Sequence, residues 1–198
     1  MSLLADFVTH NYHPARGIGG NICDLPPREA ERILDNLRAM GRGLRPNYLR
    51  KRFLVEDWLI AGKNKKLGST PLNRPLYFFL GNFADGKDRS RPESLVMPLT
   101  AFSPGSLTFT YSDSMTSYQI GVIEADHPSR HERHYGQVFT RTEIEEVVAT
   151  FGLPNERWER DSSEWRDLFI EVQVWDDRPV REWVARPCAS ILAIRRCA

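Results

Sequence analysis

Long apolar runs, paired cysteines and ready-made catalytic motifs are all missing from this sequence. No stretch of about eighteen apolar residues occurs, so no membrane-spanning helix is expected. The three cysteines, Cys23, Cys188 and Cys197, are odd in number and widely spaced, which excludes a disulfide scaffold. The start, MSLLADFVTH, has neither a basic segment nor a long apolar run and does not read as a secretory signal. There is no phosphate loop of the GxxxxGK[ST] type, no GxGxxG after a strand, no HExxH and no GxSxG. An excess of one charge is also missing, with 27 Lys plus Arg against 26 Asp plus Glu and a net charge of +1. What is present is 41% hydrophobic, 11% aromatic and 27% charged residues, enough to bury a core and exclude a disordered chain. The expectation is one soluble, cytoplasmic domain spanning 1–198.

The near-neutral total hides an uneven distribution. Between positions 28 and 66 lie Arg28, Arg32, Arg38, Arg42, Arg45, Arg50, Lys51, Arg52, Lys63, Lys65 and Lys66, against five acids, whereas acids dominate from Glu143 to Glu182. A basic front half suits a polyanionic partner such as nucleic acid; the plainer alternative is two solvated helices with basic polar faces.

Periodicity organises the chain. Pro27 to Met40 reads as a helix with Ala30, Ile33, Leu34, Leu37 and Met40 on one face and Gly41 as its left-handed stop. Pro46 to Ala61 reads as a second, closed by Gly62, with a stripe of Leu49, Phe53, Leu54, Trp58 and Leu59 and with Arg50, Lys51 and Arg52 mostly away from it. Strands are expected at Leu76–Leu80, Ser94–Leu99, Ser106–Tyr111 and Ser117–Ile123, with a short last one near Ile191–Ile194. Thr140 to Phe151 is a helix opened by a capping box of Thr140 and Glu143. Leu168 to Trp175 is the clearest strand: Leu168, Ile170, Val172 and Val174 face one way, Phe169, Glu171, Gln173 and Trp175 the other. The order implies an α+β domain with a mainly antiparallel or mixed sheet.

Four constellations have chemical potential. Glu171 sits mid-strand among aromatic neighbours, where a rigidly held, partly desolvated carboxylate acts strongly on a developing positive charge. TFTYSDSMTSY, from Thr108 to Tyr118, surrounds Asp113 with hydroxyls, Ser114 among them, suited to a ribose or an amide, or to an Asx-type turn joining two strands. His127, His131 and His134 have spacings that would align three imidazoles for zinc on a helix, although Pro128 favours a polar loop. RGIGGN, from Arg16 to Asn21, is glycine-rich without the strand before it that a dinucleotide turn needs.

Taken in order, FVTH ending in His10, then ERILDNLRAMGRGLRP, LYFFLG, LTFTYSDSMTS and RDLFIEVQVWDDRP resemble the ADP-ribosyltransferase-like superfamily. The similarity is closest to its DNA-modifying toxin and RNA 2′-phosphotransferase branches. The resemblance implies a split sheet gripping NAD⁺ in a cleft, with a nucleic acid as acceptor. It implies Glu171 as the catalytic carboxylate, and His10, Tyr77, Arg45 and Ser114 as cofactor contacts, with His10, Tyr77 and Glu171 converging on one dinucleotide. The position two residues before the glutamate, a carboxylate or Gln in many protein-modifying members, is Phe169, and Gln173 lies two residues after it. This points away from arginine modification. The alternative function is a non-catalytic nucleic-acid or protein binding module that uses the basic N-terminal helices.

Overall fold

The computed structural model describes residues 4–82, 89–127, 132, 134–154 and 169–186. Five strands build the sheet: β1 (Phe7–Tyr12), β2 (Leu76–Leu80), β3 (Glu93–Pro98), β4 (Leu107–Tyr111) and β5 (Ile170–Val174). Their spatial order is β3-β1-β2-β5-β4, and each neighbouring pair is antiparallel. The α+β expectation therefore holds, whereas the sheet among the described residues is single and antiparallel rather than split and mixed. The helices are α1 (Pro27–Ala39), α2 (Tyr48–Lys66), α3 (Ser114–Tyr118), α4 (Arg141–Phe151) and α5 (Arg178–Val184). Among the described residues no helix is long and apolar enough to cross a membrane.

Pairing register assigns the two faces, because residues directly opposite across antiparallel strands point the same way. Phe78 and Phe109 flank Val172, Leu76 and Leu107 flank Val174, and Met97 lies opposite Val8. These side chains pack with Ile144 and Val148 of α4 and Val180 of α5 into the main core. The other face carries Tyr77 and Thr108 on either side of Gln173, and Phe79 and Thr110 on either side of Glu171. Helix α2 packs on this face, where Val55 and Leu59 meet Trp175 and Val138. All five β5 residues are buried, so the middle of the sheet has no solvent side.

Local signals explain the helix ends. Gly41 takes φ 92° just past α1, and Thr140 and Glu143 form the capping box of α4, Thr140 N–H donating to Glu143 Oε2 at 2.8 Å. Two expectations are corrected. Helix α2 runs through Gly62 rather than stopping there. A Cβ on Gly62 would lie 2.6 Å from Val138 Cγ2, so this glycine permits a close approach, and the left-handed turn comes at Gly68 with φ 74°. Ser117–Ile123 is not a strand but the end of α3 followed by a π-helical turn, Gln119–Ile123. The cause is Asp113, whose side chain accepts from Thr116 N–H at 3.0 Å and caps a helix. The expected strand near Ile191–Ile194 lies outside the described residues.

The π-helical turn crosses the chain at Gly136. A Cβ on Gly121 would sit 2.2 Å from Gly136 N, a backbone clash that no side-chain rotation relieves. Gly121→Ala is therefore expected to lose about 1–3 kcal/mol in urea unfolding. Gly43→Ala, where nothing lies within 4 Å of the new methyl, should stay within about 0.5 kcal/mol of wild type.

Candidate functional site

Helix α2 turns a charged row toward the sheet. Arg52, Glu56 and Lys63 recur at helical spacing with Leu59 and are buried. This overturns the expected phase of the helix: Arg52 is only 7% exposed, whereas Leu54 is 45% exposed. Stacking explains Arg52, because its guanidinium carbon lies 3.9 Å from the centre of the Tyr77 ring. One guanidinium nitrogen, Nη2, lies 3.3 Å from Glu56 Oε1. The other, Nη1, donates to Ser114 Oγ at 3.3 Å.

Glu56 is fully buried and collects donors. Its Oε1 accepts from Asn21 Nδ2 at 3.0 Å and from the Tyr77 hydroxyl, and Oε2 faces Arg74 Nε at 4.0 Å. The glycine-rich segment before it explains the delivery of Asn21. Gly17 and Gly19 take positive φ of 71° and 88°, and Asn21 is pinned by a second bond to the Pro75 carbonyl at 3.0 Å. RGIGGN is thus a shaped turn that feeds an amide into the core.

On the sheet, a directed chain of hydrogen bonds ends at Glu171. Trp175 Nε1–H donates to Thr108 Oγ1 at 2.8 Å, and the Thr108 hydroxyl donates to Gln173 Oε1 at 3.0 Å. Gln173 Nε2 then donates to Glu171 Oε1 at 3.1 Å and to Thr110 Oγ1 at 3.2 Å. Indole can only donate and a carboxylate can only accept, so the ends of the chain fix its direction and the orientation of the Gln173 amide. The Ser114 hydroxyl also bonds Glu171. Glu171 is 8% exposed. Beside it, Phe79, its cross-strand partner, and Tyr77 remain half-buried, giving the cluster an aromatic edge that solvent reaches.

Burial lifts the Glu171 carboxyl above its ordinary range. Arg52 pulls it back down, Asp113 pushes it up, and the bonds from Ser114 and Gln173 favour the ionised form without cancelling the rise. Burial also pushes the Tyr77 hydroxyl well above its usual value, beyond what Arg52 offsets, so Tyr77 stays a neutral donor to Glu56.

Of the five residues expected at one cleft, Glu171, Tyr77 and Ser114 meet around Arg52. His10 does not join them. It alternates with Thr9, whose side chain shares the Glu171 face, so its imidazole lies on the opposite, apolar face. There it sits 5.2 Å from the Phe78 ring, and Nδ1–H donates to the Tyr77 carbonyl at 2.7 Å. Burial, with a smaller push from Arg91, keeps its pKa below the usual histidine value. Arg45 is exposed in the turn before α2, away from the buried cluster. Arg52, Glu56 and Asn21 escaped the sequence reading. The available signal was the spacing of Arg52, Glu56, Leu59 and Lys63, which marks one helical face whatever its polarity.

Of the remaining candidates, His134 is a core residue. His134 is fully buried, with Tyr111, Tyr135 and Phe151 rings 4.3 to 4.8 Å away, and His131 lies outside the described residues. Among the described residues no group of three or more His, Cys, Asp or Glu is set to hold a metal. The Cys23 thiol is buried, and burial followed by the Glu56 charge raises its pKa to about 11, the state of an inert thiol.

The raised carboxyl has a consequence for stability. The unfolded side chain releases its proton near its ordinary value of 4.5, and the folded one holds it to higher pH. Raising the pH through that window therefore removes stability. Glu171→Gln keeps the shape and removes the charge. It should melt above wild type at about pH 7.5, with the gap closing toward about pH 4; a wild type at least as stable as the variant at both values would contradict this. No protein-family model matches the chain, and no curated protein or solved structure is significantly similar to it.

Proposed function

We propose that the protein is an NAD⁺-dependent transferase of the ADP-ribosyltransferase-like kind, with Glu171 as its catalytic carboxylate and a nucleic acid as acceptor. The observation that carries this reading is Glu171 itself: a carboxylate buried mid-sheet, gripped by donors from two elements, beside the half-buried rings of Tyr77 and Phe79.

Cleaving the bond between the nicotinamide nitrogen and C1′ of the ribose demands little covalent chemistry from a protein. Nicotinamide leaves with the bonding electron pair, and positive charge builds at C1′ and the ring oxygen. A preorganised carboxylate in a partly desolvated site stabilises that charge more than water does. The acceptor, a hydroxyl or a base nitrogen, then bonds C1′ and releases its proton to solvent. Phe79 supplies apolar surface for the departing ring, bordered by the edge of Tyr77, whose face Arg52 covers. The first strand contributes support alone, since the Thr9 hydroxyl is committed to the Gly81 carbonyl at 2.7 Å and His10 points to the other face. Exposed Arg28, Arg32, Arg45 and Arg50 on the α1–α2 hairpin suit the phosphates of the acceptor.

Incubation with labelled NAD⁺ and DNA, RNA or protein acceptors tests the reading. The expected result is nicotinamide release with label on a nucleic acid, and a kcat lower by about 10²–10³ in Glu171→Gln. Absence of both release and transfer under every condition would overturn it. The same exposed arginines favour a second reading, a non-catalytic polyanion-binding module. That reading expects nucleic-acid affinity that falls steeply with salt and is unchanged in Glu171→Gln.

A further inference from the structure

We infer that Arg52 is a positioning residue for Glu171: anchored by Glu56 and stacked on Tyr77, it orients the Ser114 hydroxyl onto the Glu171 carboxylate and supplies that carboxylate's counter-charge. This rests on the reading of Glu171 as the working carboxylate.

Three contacts fix the guanidinium in a plane. Nη2 is held 3.3 Å from Glu56 Oε1, Nη1 donates to Ser114 Oγ at 3.3 Å, and the flat face covers the Tyr77 ring at 3.9 Å. Each comes from a different element: α2 itself, α3 and β2. A guanidinium only donates, so Ser114 Oγ must accept from Arg52. The hydroxyl proton of Ser114 is thereby turned away from Arg52 and toward Glu171, which it bonds. Arg52 thus acts on Glu171 twice, through Ser114 and through its own charge.

Stability alone does not account for this arrangement. A buried ion pair gains back roughly what its desolvation costs, and well-packed apolar replacements are often as stable or more so. Glu56 does not need Arg52 as its sole partner either, since Asn21 and Tyr77 donate to it and Arg74 stands 4.0 Å away. The groups facing Glu171 are Arg52 from α2, Asp113 and Ser114 at the start of α3, and Gln173 on its own strand. Of these Arg52 is the cation and Asp113 the opposing anion. The Tyr77 hydroxyl, which the Glu171 charge also raises, stays neutral, and Glu56 lies at the Nη2 side of the Arg52 guanidinium. Removing the guanidinium leaves Glu171 facing burial and Asp113 with neutral donors only.

The test reads the ionisation of Glu171 directly, by ¹³C NMR of the glutamate side-chain carboxyls, with the Glu171 signal assigned by its loss in Glu171→Gln. Arg52→Met is expected to move the Glu171 midpoint upward. Ser114→Ala, a milder change that leaves Arg52 in place, should move it upward by less. Arg52→Lys, which keeps the charge but not the planar fork, should fall between wild type and Arg52→Met. The acid limb of nicotinamide release should follow the same order. At a fixed pH below the midpoint, each unit by which the midpoint rises lowers kcat about tenfold. A merely structural role would lower the melting point and leave the midpoint in place. If Arg52→Met does not fold, Ser114→Ala and Arg52→Lys still decide the matter. Unchanged midpoints in the folded variants overturn the inference. Shifted midpoints in a protein that never releases nicotinamide would support Arg52 and reject the enzymatic reading.

Discussion

Glu171, Arg52 and Glu56 are ionisable side chains enclosed between α2 and the middle of the sheet, and burying each costs several kcal/mol unless its partners are in place. That requirement organises much of what surrounds them. Glu56 needs Asn21, so the RGIGGN turn must bend back with two glycines at positive φ to deliver it. Arg52 needs the Tyr77 face and the Ser114 oxygen, so α3 must begin where the Asp113 cap puts it. Gln173 needs its amide turned one way, and Trp175 and Thr108 turn it. The polar layer is a set of mutual constraints, each member held in place by another.

The two faces of the sheet divide the labour. The face toward α4 and α5 is packed with aliphatic and aromatic side chains and forms the largest apolar cluster among the described residues. The face toward α2 mixes an apolar end, at Trp175, with the charged cluster around Glu171. A carboxylate raised by burial diminishes stability at neutral pH, and such a cost is tolerated where a group has work to do. On the proposed reading, its position at the solvent-reaching edge of Tyr77 and Phe79 is where the cofactor would meet it.

Much of this was legible in the sequence, and what was not has physical causes. The alternation from Phe169 to Trp175 identified both faces of β5, and the Thr140–Glu143 box and Gly41 marked helix ends, because each depends on a few neighbouring residues. Hydropathy periodicity assumes that polar residues face outward. It therefore phased α2 with Leu54 inside and Arg52 outside, the reverse of what a polar sheet face requires. The parity of β1 was equally hidden. Whether Thr9 or His10 shares the Glu171 face depends on the register of β1 against β2, and FVTH alone does not contain it. The hydroxyl-rich run after Tyr111 read as an Asx-type turn leading into a strand at Ser117–Ile123, yet the same aspartate, bonding Thr116 N–H, caps a helix there instead.

The most direct measurement is a crystal structure of Glu171→Gln with NAD⁺ bound. The account predicts the nicotinamide ribose on the α2 side of the sheet, its ring against Phe79 and Tyr77 and its C1′ within about 3.5 Å of the residue-171 side chain. NAD⁺ bound on the opposite face beside His10, or anywhere out of reach of position 171, would contradict it.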